Sequence, residues 1–248
     1  MYDEMIFRYS AVFCFWFLFP VKQAFTQSTA EDSSLRQAAY QHTVSIYDNQ
    51  LGDQSLLYNG SRYEKYPYNF RLGTAYYPYD RFAVGSVTYD NIQFDSVSLL
   101  FDELQQVLVL NKDGYELQLI SERISTFTIE EHVFLRLAAD SIHAGIPVTR
   151  FYELIYPGPS QVLRATSKSI REEAFNADEI PRYMVTQEDY FIRQGNLYLQ
   201  VKSVGRISEL FTSHKNEIRQ FVDSNNLNSD DKVNALIRVA GYYDKIAK

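Results

Sequence analysis

The chain has 248 residues, enough to bury a sizeable core in one domain without covalent staples. Asp and Glu outnumber Lys and Arg by 31 to 24, and a body of net charge -7 repels phosphate backbones, so nucleic acid is not an expected partner. The single cysteine, Cys14, lies in the leading apolar segment, which leaves the rest of the chain without an internal disulfide, a cysteine-based metal site or a thiol nucleophile.

The run AVFCFWFLFP (11 to 20), with Tyr9 and Val21, gives about a dozen apolar residues where a spanning helix needs roughly 20. That is the length of a signal-peptide core. Residues 1–26 are therefore read as a signal peptide with cleavage between 26 and 30, and no transmembrane span is expected in the mature chain. An uncleaved anchor is the alternative. Asp3 and Glu4 oppose the positive start of such a segment, which favours initiation at Met5, where Arg8 is the only charge. Cys14 sits too early in the run for a lipidated cysteine.

Residues 27–248 are read as a single β-rich domain, in keeping with 15% aromatic residues, 20 of them Tyr and 17 Phe. Ser33 or Ser34 can cap a helix from Leu35, with Ala38, Ala39, Val44, Ile46 and Tyr47 on one face and Gly52 as its stop. Asn59-Gly60 within LYNGSRY predicts a two-residue hairpin turn, and Asn59-Gly60-Ser61 also spells a glycosylation sequon. The stretch YPYNFRLGTAYYPYD (66 to 80) is broken by Pro67, Gly73 and Pro78 and reads as an aromatic loop, able either to stack on sugar rings or to close the edge of a core.

From Val87 to Leu137 apolar residues alternate, which predicts an antiparallel meander of five or more strands. Asp90-Asn91 and Asp113-Gly114 supply turns, and a phase change across Asp95-Ser96 predicts a β-bulge. A further hairpin is expected through FYELIY, Pro157 to Ser160 and QVLRATS, and another turns at Gly195-Asn196. The acidic IREEAFNADEIP (170 to 181) reads as an exposed loop. Helical spacing of Ile207, Leu210, Phe211, Ile218, Phe221 and Val222, and then of Val233, Leu236, Ile237, Ala240 and Tyr243, makes 204–248 helical. Asn228 or Ser229 with Asp230 and Asp231 marks the last start. The fold class is α+β, mainly β: an antiparallel meander sheet with an N-terminal helix and a C-terminal cluster of two or three helices.

LYNGSRY, the block GSVTYDNIQFDSVSLLFDELQQVLVL (85 to 110), VKSVGRISELF (201 to 211), EIRQFV and LIRVAGYYD resemble a family of uncharacterised secreted proteins of Bacteroidota, from about Ser55 onward. The resemblance implies export in a two-membrane bacterium and a β-rich fold, and brings no catalytic motif. In such bacteria an Asp-Ser/Thr-apolar triplet can accept an O-linked glycan, and Ser96 and Ser141 sit in such triplets.

Little of the sequence points to chemistry. The four histidines, His42, His132, His143 and His214, lack metal-motif spacing, and Glu130-Glu131-His132 reads as a charged turn. No catalytic, cofactor-binding or metal-binding residue is therefore assigned. Asp90, Asp95, Asp102 and Glu103 could form a glycosidase pair only if the fold set two of them about 5 to 9 Å apart. The expectation is a non-enzymatic binding or structural protein of the periplasm or cell envelope, whose partner is an envelope protein, glycan or lipid. The alternative is a carboxylate-dependent hydrolase of envelope polysaccharide.

Overall fold

The computed structural model of this chain describes residues 36, 39, 56–173, 180–229 and 231–247. The leader and, but for Arg36 and Ala39, the helix expected from Leu35 lie outside them. Twelve strands form one antiparallel sheet: β1 (Ser61–Arg62), β2 (Tyr76–Tyr77), β3 (Ala83–Tyr89), β4 (Ile92–Asp102), β5 (Val107–Lys112), β6 (Tyr115–Gln118), β7 (Ile124–Ile129), β8 (His132–Leu137), β9 (Arg150–Tyr156), β10 (Val162–Glu172), β11 (Arg182–Gln194) and β12 (Leu197–Gln200). Their order is β1-β6-β5-β4-β3-β7-β8-β9-β10-β11-β12, with β2 also paired to β4.

The turns follow from residues that tolerate left-handed backbone. Asp90 and Asn91 (φ 50° and 64°) join β3 to β4, and Asp113 and Gly114 (φ 52° and 89°) join β5 to β6. The expected bulge is present: Gly85 faces Val97 and Val87 faces Phe94, so Asp95 and Ser96 together oppose Ser86, and Ser96 takes φ 57°. Leu99 and Phe101 pack into one apolar cluster while Leu100 packs into another on the opposite face. Burial on both faces explains why β4 and β5 carry continuous apolar runs rather than clean alternation.

Three expectations are corrected. The strands do not run as one meander, because β7 pairs with β3 and not with β6, whose outer edge is taken by β1. Two meanders therefore diverge from β3. Asn59-Gly60 makes no hairpin: Leu56–Tyr58 is a 3-10 turn, and a Cβ on Gly60 would meet the Gln118 carbonyl oxygen at 2.5 Å, so this glycine serves close backbone approach. Ile170 to Glu172 are not loop. They extend β10, which pairs with β11 out to Glu172 opposite Arg182, and Leu72 bridges to Tyr183 from outside that hairpin.

The C-terminal part begins with 3-10 turns at Val204–Leu210 and Thr212–His214, then forms α1 (Lys215–Ser224) and α2 (Lys232–Ile246). Asp231 caps α2 by accepting a hydrogen bond from the Asn234 amide. Ile218 and Val222 of α1 and Leu236 and Val239 of α2 bury against Val162, Tyr190 and Ile192 of the sheet. A second core is aromatic, with Phe101 and Phe127 in contact with each other and each with Phe134 and Phe151.

Candidate functional site

Between the two cores the sheet divides. Strand β9 pairs with β8 from Arg150 to Glu153, and with β10 from Glu153 to Tyr156. Glu153 is the residue common to both pairings, and beyond Arg164 β10 pairs only with β11. In FYELIY, Phe151, Glu153 and Ile155 share a face by strand period, so a carboxylate is carried into an apolar stripe. It is only 5% exposed. A buried charge is tolerated only with partners, and Glu153 has several: Arg164 donates through Nε at 2.8 Å and also through Nη2, His132 lies at 2.7 Å through Nδ1, and the Tyr77 hydroxyl lies at 3.3 Å.

Around this carboxylate the electrostatics are mutually consistent. Burial alone would make Arg164 easier to deprotonate, but the adjacent Glu153 reverses this and raises its pKa. Burial and the same carboxylate push the Tyr77 hydroxyl up. Arg164 reaches on to Glu188 at 3.4 Å, Tyr190 donates to Glu188 at 2.6 Å, and burial with that bond pushes Tyr190 up to about 12. An ionised carboxylate can only accept, so the His132 proton sits on Nδ1. Nε2 is the ring nitrogen that Glu153 does not engage, on a side chain that is 44% exposed. This is the orienting half of a general-base arrangement. No hydroxyl or thiol among the described residues is hydrogen-bonded to His132, so no nucleophile completes it.

The two acids that follow one another at the end of β4 are also consumed by the fold. Asp102, fully buried, accepts from the Tyr63 and Tyr66 hydroxyls at 2.7 and 2.8 Å and from the amides of Leu104 and Gln105, each at 2.9 Å. Burial and these bonds hold both tyrosines in the neutral form by raising their pKa values. Glu103 pairs with Lys168 at 2.8 Å, and the same ammonium donates to the carbonyls of Thr74 and Tyr76, each at 2.9 Å. Lys168 thereby ties the outer half of the β10–β11 hairpin to β2.

The other sequence candidates lie apart. Asp90 is bonded by Arg123, which lowers its pKa, and Asp95 is exposed and accepts from Gln93. None of the four acids is brought into an open pair. Glu130 and Glu131 form the β7–β8 turn, with Glu130 3.5 Å from Arg81. Of the charged triplet, only His132 enters the cluster. Ser96 and Ser141 are exposed. In the aromatic loop Tyr66, Tyr68 and Phe70 pack on one another and Arg182 covers Tyr68, so these rings close the core edge, beside a groove of about 340 Å³. Among the described residues no group of three or more His, Cys, Asp or Glu is placed to hold a metal ion.

Sequence reasoning passed over Glu153, Arg164 and Lys168. The available signal was a charge at an inward strand position, Glu153 between Phe151 and Ile155. Comparison with family models, curated proteins and solved structures finds no match.

Proposed function

We propose that this chain is an exported, non-enzymatic binding protein of a bacterial envelope. The short apolar segment before Pro20 and the resemblance to secreted proteins of Bacteroidota support export. The observation that carries the non-enzymatic part is that Asp102, Glu103 and Glu153, the acids buried in the sheet, are all engaged by donors of their own chain. A carboxylate-dependent hydrolase needs one acid free to give a proton and a second free to act on water or sugar. Each of these three is instead held in place by donors of the fold.

Binding then falls to the surface, where polar grooves lie along the tyrosine loop and at the end of the sheet. The test is to express the tagged chain in its host, crosslink intact cells, and analyse what is recovered from the envelope fraction. Recovery of a defined envelope component above a tag-only control is the expected result. A chain retained in the cytoplasm, or one that turns over envelope polysaccharide when purified, overturns the proposal.

A further inference from the structure

A groove of about 410 Å³ lies at one end of the sheet, between the β4–β5 turn, the connection from β6 to β7, and the adjoining ends of β8 and β9. That volume is within the range of small-ligand sites. Its lining residues include one guanidinium that is not committed to the sheet, that of Arg136, against one carboxylate, Glu122, in a chain of net charge -7. Glu122 is 3.7 Å from Arg136 and its side chain is 74% exposed, so the ion pair is loose. Arg136 has no other hydrogen-bond or ionic partner among the described residues, although only 21% of its side chain is exposed.

Arg150, also in the lining, turns its guanidinium to β10. It donates to Ser167 at 2.7 Å and to the Thr166 carbonyl, has no carboxylate within ion-pair distance among the described residues, and leaves its buried Nε without a partner. Burial lowers its pKa, against the opposing influence of Tyr152, Glu103 and Asp189. Besides the Arg136 guanidinium, the lining residues carry unspent polar groups: the Gln118 amide, the Ser61 hydroxyl, the Thr149 proton and the Gln105 side-chain oxygen, whose amide nitrogen is bonded to Tyr66. Val107, Leu119 and Phe151 in the wall are buried and leave little apolar surface for a lipid chain.

Resting on the binding role above, we propose that this groove takes the carboxylate of an acidic sugar, a uronic acid within a polysaccharide. The Arg136 guanidinium forms the paired hydrogen bonds with the carboxylate, for which its planar fork is suited. Gln118, Gln105, Ser61 and Thr149 take the ring hydroxyls. The carboxylate fixes orientation, and the amides and hydroxyls supply the donors and acceptors that a plain anion would leave unused.

Calorimetric titration of the full chain at low salt with trigalacturonate, neutral trigalactose and inorganic phosphate tests this. The acidic trimer is expected to bind at least about tenfold more tightly than either control, and Arg136→Gln to weaken it by about tenfold or more. Glu122→Gln, an exposed change that leaves folding intact, is expected to tighten it about two- to threefold by removing the competing carboxylate. Absence of trigalacturonate binding, equal binding of the neutral trimer or of phosphate, or no gain in Glu122→Gln would overturn the assignment, and the last outcome decides even if Arg136→Gln does not fold. Capture of a protein or a neutral glycan from the envelope, unchanged by Arg136→Gln, overturns this site while leaving the binding role standing.

Discussion

Replacing Lys168 by Met asks whether the buried ion pair holds the β10–β11 hairpin against the body of the sheet. Met conserves the length of the side chain, so the change removes charge and three donated interactions with little loss of packing. Glu103, 4% exposed, then lies buried without its cation, and the carbonyls of Thr74 and Tyr76 lose the donor 2.9 Å away. Removing one partner of a buried pair typically costs about 3–5 kcal/mol. For a domain of this size each kcal/mol lowers Tm by about 2–4 °C, which gives a fall of roughly 6–20 °C. Pairing Lys168→Met with Glu103→Gln removes the stranded charge and should recover about 2 kcal/mol or more, a coupling readable from urea unfolding followed by circular dichroism. A loss under about 1 kcal/mol in the single variant, or a double variant as unstable as the sum of the singles, would refute the view that this pair ties the hairpin down.

High pH should unfold the domain through its tyrosines. Tyr63, Tyr66 and Tyr77 have raised pKa values and Tyr190 is pushed up to about 12, so above pH 10 the unfolded chain loses phenolic protons that the folded chain keeps. The sign follows: their contribution is whole below pH 10 and is lost as pH rises, at about 1.4 kcal/mol per pH unit for each tyrosine still neutral in the fold. Absorbance at the tyrosinate band should rise together with loss of circular dichroism, and independent titration of all tyrosines near pH 10 would contradict this. Gly145 has φ 89° and a Cβ there would meet the Tyr198 carbonyl oxygen at 1.9 Å, so Gly145→Ala should destabilise by about 2 kcal/mol or more in the same urea assay, and a neutral result would refute the need for glycine at this close approach. Asp102→Asn should lower stability by about 1–3 kcal/mol, because an amide cannot accept from Tyr63, Tyr66 and two backbone amides as a carboxylate does, and an unchanged midpoint would remove Asp102 from the framework.

Much of the local structure is legible in the sequence because it is written in nearest-neighbour terms. Asp90-Asn91 and Asp113-Gly114 tolerate positive φ, and the phase slip at Asp95-Ser96 requires an extra residue, whatever the rest of the chain does. Strand order is not written that way. Whether β7 lies beside β6 or β3 depends on which edge Ser61 and Arg62 occupy, a contact more than fifty residues away in the chain. The same holds for Ile170 to Glu172, whose charged neighbours suggest a loop but which are strand because Arg182 pairs opposite Glu172 and bonds it at 2.7 Å.

The polar cluster was hidden for a related reason. His132, Glu153, Arg164 and Glu188 lie on four strands, β8 to β11, and nothing in their spacing announces a shared centre. Only the exchange of partners by β9 at Glu153 brings them together. Asp102 and Glu103 were visible as candidates, but their roles invert once their partners are known. Acids that look available for catalysis in a one-dimensional reading are the groups on which Tyr63, Tyr66 and Lys168 are hung.

The central claim, binding without turnover, is tested most directly by incubating the purified full chain with the isolated envelope fraction of its host, then sedimenting that fraction and sizing its polysaccharide. Co-sedimentation of the chain with polysaccharide of unchanged length is the predicted result. A chain that stays in the supernatant, or polysaccharide that becomes shorter with time, would contradict it.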